Sequence, residues 1–403
     1  MNAMNHGGEH DVLAAATEDH ESVLALTREL VAIPSRGGID PYEPVLNRLS
    51  TWLEQHNLAA TVLKDKIGAT VGLTCEIRGA RPGPRWVLDA CLDTAPFGDE
   101  AAWTYPPTSA AIADGWLYGR GSADSKSGAA IFCHIATRLA SVADQLRGSL
   151  VLLFDVDEHT GAFGGAKRYF EGPDAPDDVA GVMIGYPGMD KLVVGGRGVH
   201  RAKLHVHGVA SHSGGSKTTP SAIGKASHLV RVLSAAELSE GASPEFPMAG
   251  KLTVTAIEGG QGYSVTPDLC TLHVDVRTTR NFDDEDAVRL IKHLVAQVDD
   301  AWPGTQPTLI QVETRWPAFA LAEDSRLRTA ILDAATKVGV EIKPKIAGPS
   351  NIGNYLAGLN IPATAGFGVD YVGLHGTDER IRTDTIPTVQ AVYHAAVLAL
   401  LRP

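Results

Sequence analysis

The sequence predicts an α/β protein, a mostly parallel sheet interrupted by an inserted α+β domain, and three observations carry that expectation. Four runs are almost continuously apolar: WVLDAC at 86–91, SLVLLFDV at 149–156, GVMIGY at 181–186 and IPATAGFGV at 361–369. Strands covered on both faces read this way. Helical patterns alternate with these runs, as a parallel sheet requires. Between about residues 195 and 311 the texture changes to strict alternation, with Ala202, Leu204 and Val206 on one face and Lys203, His205 and His207 on the other. That is the mark of an antiparallel strand with one wet face.

The elements follow in order. Val23, Leu26, Leu30 and Val31 recur at helical spacing and the pattern stops before Pro34, so an opening helix ends at AIPSRGG. A helix begins near Gly128, after the Gly-punctuated WLYGRGSADSKSG loop at 116–128. In the insert, Thr219-Pro220 is placed to cap a helix with Ile223, Ala226, Leu229, Val230 and Leu233 on its apolar face; Asp283 caps another with Val288, Ile291, Leu294 and Val298. The expected division is 1–194 and 312–403 for the larger domain, with 195–311 inserted. His205 and His207 share the wet face of their strand, where two imidazoles are ordinarily solvated rather than metal-bound.

Composition narrows the function. With 47 acidic residues against 35 basic ones the formal net charge is -12, and no Lys/Arg block builds the positive footprint that nucleic acid needs. The first residues carry acids and histidines where a signal peptide needs a basic stretch and an apolar core, and no run reaches membrane-spanning length. A cytoplasmic protein with neither nucleic-acid nor membrane partners is expected. Cys75, Cys91, Cys133 and Cys270 show no short paired spacing, so free thiols are expected.

Polar groups gather at the ends of the apolar runs. VLDACLDTAPFG at 87–98 delivers Cys91 and Asp93, the GRGSADSKSG loop delivers Asp124, LLFDVDEHTGAFGGA at 152–166 delivers Glu158 and His159, and YVGLHGTDERI at 371–381 delivers His375. Singly, each has a plain structural explanation: Asp124 a loop cap, Asp157-Glu158-His159 a solvated turn, His375 a surface residue. Together they would line one edge of a parallel sheet, where α/β proteins place their chemistry.

These segments, with LVAIPS near the start, VHGVASHSG, SVTPD followed by VDVR in the insert, and the LHGTDE close, resemble the zinc-dependent exopeptidase and aminoacylase family of acetylornithine deacetylase, succinyl-diaminopimelate desuccinylase and glutamate carboxypeptidase. The resemblance implies a catalytic domain holding two zinc ions and an inserted lid that mediates dimerisation. It makes Asp124 the bridging ligand, Glu158 the general base and His375 a terminal ligand. His212 matches a lid histidine that in the family reaches the partner subunit's active site and steadies the oxyanion, and Arg277 an arginine that pairs with a substrate carboxylate. The plain alternative for Arg277 is an ordinary surface arginine on a strand.

The chain also departs from that pattern. Cys91 stands where the family has histidine, His159 where it has a second glutamate, Tyr186 where it has an acidic ligand, and Ser264 where an asparagine faces the substrate. Asp124, His159 and His375 remain chemically sound for one zinc with an open place. The position held by Cys91, Asp124 and Tyr186 is expected to be weak or empty, since a phenol with a reference pKa near ~10 is a poor ligand at neutral pH. Cys91 has three readings: a thiolate ligand, an inert buried thiol, or a nucleophile activated by His159 or His375. Asp93, which in the family orients the histidine two residues before it, has no ring to orient at Cys91 and reads as a remnant.

The expectation is a one-zinc homodimeric amidohydrolase acting on a small N-acyl amino acid or short peptide. Two alternatives stand beside it. One is a remodelled biosynthetic enzyme doing acyl transfer or lyase chemistry with little or no metal, and the other is an inactive dimeric binding protein.

Overall fold

A computed structural model of the chain describes residues 9–238 and 242–402. It divides into two units: one comprises the chain up to Val194, Leu321–Lys345 and Ile361 onward, the other Gly195–Ala320 and Ile346–Asn360.

The first unit is built on a mixed sheet whose first six strands stand in the order Ala60–Lys64, Thr70–Arg78, Arg147–Asp155, Arg81–Cys91, Val179–Ile184 and Ala363–Ala365, with Lys191–Gly196 following antiparallel. Of those six, the last four run parallel to one another, while the first two are antiparallel. The apolar runs at 86–91, 149–156 and 181–186 thus lie in its centre, as their composition demands: Val87, Leu88, Leu150, Leu152, Phe154 and Val182 are all essentially inaccessible. Each such side chain contributes roughly 1.5–3 kcal/mol by leaving water. The run at 361–369 is strand only over Ala363–Ala365, because Gly366 takes a positive φ and turns the chain away.

The register decides where the chemistry goes. Cys91 pairs with Asp155 and Asp89 with both Leu153 and Ile184, so three parallel strands finish at one edge. The loops carrying Asp93, Glu158-His159 and Tyr186 therefore leave that edge together. A small antiparallel sheet of Tyr371–Val372, Arg380–Arg382, Trp116–Tyr118 and Ile112–Ala113 pairs Arg380 with Tyr118. It sets the loop after Tyr118 beside the loop before Arg380, which places Asp124 near His375. Helices Glu9–Val31, Ser127–Ala140 and Ile386–Leu401 bury Val23, Leu26, Leu30, Phe132, Ile135, Val392 and Val397. The opening helix does end before Pro34.

In the second unit four antiparallel strands stand in the order Lys251–Gly259, Leu269–Thr278, Gly198–His207 and Leu309–Trp316. Helices Ala222–Ser234 and Asp284–Asp300 complete a core of Leu204, Val206, Leu229, Leu272, Val274 and Ile291. Asp283 caps the second helix in a reciprocal capping box with Asp286. The first helix is capped by Ser221 rather than Thr219-Pro220, because the Thr219 hydroxyl is committed to the Val209 carbonyl at 2.8 Å.

This unit extends past residue 311, where the sequence reading ended it. Leu309–Trp316 pairs with Gly198–His207 through to Trp316 opposite Val199, covering an edge that would otherwise stay open. Ile346–Asn360 also joins it, since the buried Asn354 amide donates to the carbonyls of Arg197 and Pro317 at 3.0 and 2.9 Å. His205 bonds to Thr271 and Gln311, and neither it nor His207 enters a metal-capable group among the described residues. All four cysteines are buried and free, and among the described residues no helix is long and apolar enough to cross a membrane.

Candidate active site

Asp124 is the hub. It is only 3% exposed, and its two carboxylate oxygens face different ways. Oδ2 lies 3.0 Å from His375 Nε2 and 3.6 Å from His159 Nε2; Oδ1 accepts from the Ser125 hydroxyl at 2.8 Å and lies 3.7 Å from the Cys91 sulfur. Burial pushes the Asp124 carboxyl up, but the hydrogen bonds and charges of His159 and His375 outweigh it and hold the group well below the usual carboxylate range. The two imidazole rings are 5.0 Å apart, and His375 sits in the left-handed backbone region with its side chain half exposed.

A buried clamp holds these two loops. Arg120 and Glu379 pair at 2.6 Å with both side chains almost inaccessible. Glu379 Oε1 accepts the backbone amides of Gly121 and Ala123, and Arg120 donates to the His375 carbonyl at 3.1 Å. Lys126, also buried, donates to the Ile33 carbonyl at 2.8 Å, and burial pushes its ammonium down to about 7.

The Glu158–His159 turn is fixed by Asp93, which is not a remnant. Its carboxylate accepts the amides of Glu158 and His159 at 3.1 and 3.0 Å and lies 3.4 Å from His159 Nδ1. The preceding Asp157, with a φ of 70°, accepts from the Tyr42 hydroxyl at 2.6 Å. Burial, and then the charge of Asp124, pushes the Glu158 carboxyl up to about 7. That is the range in which a carboxylate serves as an acid and base at neutral pH.

At Cys91 burial drives the thiol well above its ordinary value, followed by the charges of Asp124 and Glu158. Its hydrogen-bond partners are Asp124 and Ser125 at 3.7 Å, not an imidazole, so the arrangement does not make it a nucleophile. The Tyr186 phenol is likewise pushed upward by burial and by Asp124 and Glu158, so it faces the acids as a neutral group.

His212, Ser264 and Arg277 lie in the second unit. His212 is exposed and Gly214 N donates to its Nδ1 at 3.0 Å, which leaves Nε2 to carry the proton. Arg277 is half-buried, paired with Asp275 at 2.7 Å and donating to Ser350 at 3.1 Å. A substrate carboxylate would have to compete with Asp275. Ser264 is exposed, and its carbonyl accepts from Ser213 N at 2.9 Å.

The residues expected to hold a metal ion do come together. Ligand atoms of Asp124, His159 and His375 lie within 4.8 Å of one another. Neither buried ring nitrogen of His159 completes a hydrogen bond; Nδ1 lies 3.4 Å from the Asp93 carboxylate, and a cation beside Asp124 would satisfy Nε2. Two further acids, unnoticed in the sequence, lie under the site: Asp89 Oδ1 and both Asp155 oxygens are buried and unpartnered. Their only signal was a charge inside each apolar run.

An acidic hub with two imidazoles and a neighbouring glutamate, at the carboxyl edge of a parallel sheet, is the layout of a metal-dependent amidohydrolase. The chain belongs to the peptidase family M20/M25/M40, whose model matches residues 87–399. A succinyl-diaminopimelate desuccinylase of Cereibacter sphaeroides is 27% identical over 92% of this chain and 96% of its own. Among solved structures, an M20 family metallo-carboxypeptidase of Sulfolobus solfataricus superposes with a TM-score of 0.74 at 18% identity, covering 94% of this chain and 98% of its own. The Bacillus subtilis YXEP protein, described as a dinuclear metal-binding peptidase, gives 0.70 at 16% identity over 95% and 99%. The protein is accordingly a metallopeptidase-like amidohydrolase of that family.

Proposed function

We propose that the protein hydrolyses the amide bond of a small N-acyl amino acid or short peptide with one zinc ion, held by Asp124, His159 and His375. The observation that carries this reading is the convergence of those three groups beside a glutamate whose carboxyl is raised to about 7. When held there, the ion would supply Lewis acidity toward the amide carbonyl and would lower the pKa of a water. Glu158 takes the water's proton and returns it to the departing nitrogen. Asp93 keeps the Glu158–His159 backbone fixed while it does so. His212 and Arg277 keep the roles the family resemblance gives them: a lid imidazole whose Nε2–H would serve the oxyanion at the partner subunit's centre, and a guanidinium suited to a substrate carboxylate. The named desuccinylase relatives motivate an N-acyl substrate carrying a carboxylate.

A homodimer through the second unit accompanies this reading, for Lys251–Gly259 is an edge strand with no outer neighbour among the described residues. Non-hydrolytic chemistry with Glu158 alone is the second reading, favoured by the buried Cys91 thiol and the neutral Tyr186 at former ligand positions.

The test combines metal analysis of protein purified without chelator with assays on N-succinyl and N-acetyl amino acids, for wild type and Glu158→Ala. About one zinc per chain and hydrolysis that falls about 10²–10⁴-fold in the variant is expected. Glu158-dependent turnover without metal would replace this reading with the second. Binding without turnover would leave an inactive binding protein.

A further inference from the structure

The two oxygens of Asp124 divide the site into two sides. Oδ2 faces His375, while Oδ1 faces the sulfur of Cys91. On the Cys91 side a second group of potential ligands closes up. The Cys91 sulfur, a Glu158 carboxylate oxygen and a His159 ring nitrogen all lie within 4.8 Å of one another.

This donor set is neither the Asp/His/His group nor the Cys91, Asp124 and Tyr186 positions of the sequence comparison. It offers one sulfur, one oxygen and one nitrogen, and sulfur selects for softer ions. Deprotonated, Cys91 and Glu158 together neutralise a divalent cation, whereas the other group brings a single carboxylate to it. Cys91 is 5% exposed and Glu158 stands partly open at its rim, so the site has a closed base and a way in.

We propose that Cys91, Glu158 and His159 form a second metal position for a thiophilic divalent cation such as Zn²⁺ or Cd²⁺, mutually exclusive with the position at Asp124, His159 and His375. Exclusion follows because His159 belongs to both groups and a neutral imidazole has a single lone pair to give, its other ring nitrogen carrying the proton. An ion on the thiolate side takes the shared imidazole and also engages the Glu158 carboxylate. It would therefore hold the enzyme in a state without its base, so the exclusion has a functional consequence that rests on the hydrolytic reading, while the site itself does not.

Cobalt(II) distinguishes the two positions by spectrum, because only the thiolate side produces a sulfur-to-cobalt charge-transfer band in the near ultraviolet. Metal-free full-length protein titrated with cobalt(II) is expected to develop that band and to saturate at about one ion per chain. Cys91→Ser is expected to lose the band yet keep the visible ligand-field spectrum from Asp124, His159 and His375, which also reports a folded site. His375→Ala is expected to retain the band.

Absence of the band in wild type, or its persistence in Cys91→Ser, overturns the proposed site. Two ions bound together at saturation overturn the exclusion. A band in a protein that hydrolyses nothing refutes the proposed function and leaves the site standing; hydrolysis without a band does the reverse.

Discussion

The Asp93 carboxylate and the His159 imidazole form a pair that spans two strand ends: Asp93 Oδ2 accepts the His159 amide at 3.0 Å and lies 3.4 Å from the ring Nδ1 of the same residue. Its other oxygen holds the Glu158 amide at 3.1 Å. One buried carboxylate thus fixes the backbone of the proposed base and the ring of a proposed ligand. Burial and the flanking carboxylates pull the metal-free His159 imidazole in opposite directions, and Asp124 and Asp93 prevail, raising it to about 11.

Asp93→Ala removes the acceptor of two part-buried amides, at a cost of up to about 1–3 kcal/mol each, and releases the ring. Metal affinity is expected to fall about 10–100-fold, the usual effect of losing a group that orients a ligand. Competition with a chelator measures it. An unchanged affinity would mean that the backbone alone positions His159.

The buried Arg120–Glu379 pair gives a second prediction. Glu379 accepts two amides from the Asp124 loop and Arg120 grips the His375 carbonyl, so the pair locks two segments far apart in sequence. Removing one partner leaves the other charge buried. Glu379→Ala is expected to cost about 3–5 kcal/mol in urea unfolding, while Arg120→Ala with Glu379→Ala together costs less than the sum of the two. Additive losses would show that the two side chains do not act as a unit.

How much of this was legible follows from which interactions are local. WVLDAC and SLVLLFDV announce buried parallel strands because burial acts on every residue of the run. Asp93 could not be read correctly, since its spacing to Cys91 is visible in sequence but the folding of 156–160 back over it is not. The return of Ile346–Asn360 to the second unit was equally hidden: it rests on Asn354 reaching Arg197 and Pro317, and an asparagine carries no mark of its distant partners. Arg120 and Glu379 stand in separate loops, and only the pairing of Tyr118 with Arg380 in the small sheet brings them together.

In the second unit Lys225 is fully buried, and its ammonium donates to Asp299, to the Thr305 hydroxyl and to the Gln306 carbonyl. Burial pushes the Asp299 carboxyl up, but Lys225 and Thr308 outweigh it and hold it below the ordinary 3.8. A depressed folded value means that this contribution is complete above the unfolded value and is lost as pH falls through the folded one. Unfolding followed on acidification below about pH 4 should therefore show wild type losing stability relative to Asp299→Ala, which lacks the titrating group. At neutral pH the difference is largest, with the variant weaker by about 3–5 kcal/mol because the buried Lys225 has lost its carboxylate. A difference independent of pH would remove Asp299 from the account.

Asp89 has the opposite sign. Its carboxyl is 1% exposed with Oδ1 unpartnered, and burial, then the charge of Glu158, pushes it from 3.8 up to about 8. Between those values the folded chain holds the proton and the unfolded chain does not, so the folded state binds more protons and stability falls as pH rises through the window. Asp89→Asn keeps the shape and cannot ionise. The stability of the variant relative to wild type should therefore increase steadily from about pH 4 to about pH 8 and level off above it. Asp155, raised by burial and by Asp89, acts in the same sense, so Asp155→Asn should add to the effect. Urea midpoints for both proteins across that range provide the measurement. A constant difference between them would mean that Asp89 ionises in the fold as freely as in the open chain, and that its burial carries no electrostatic cost.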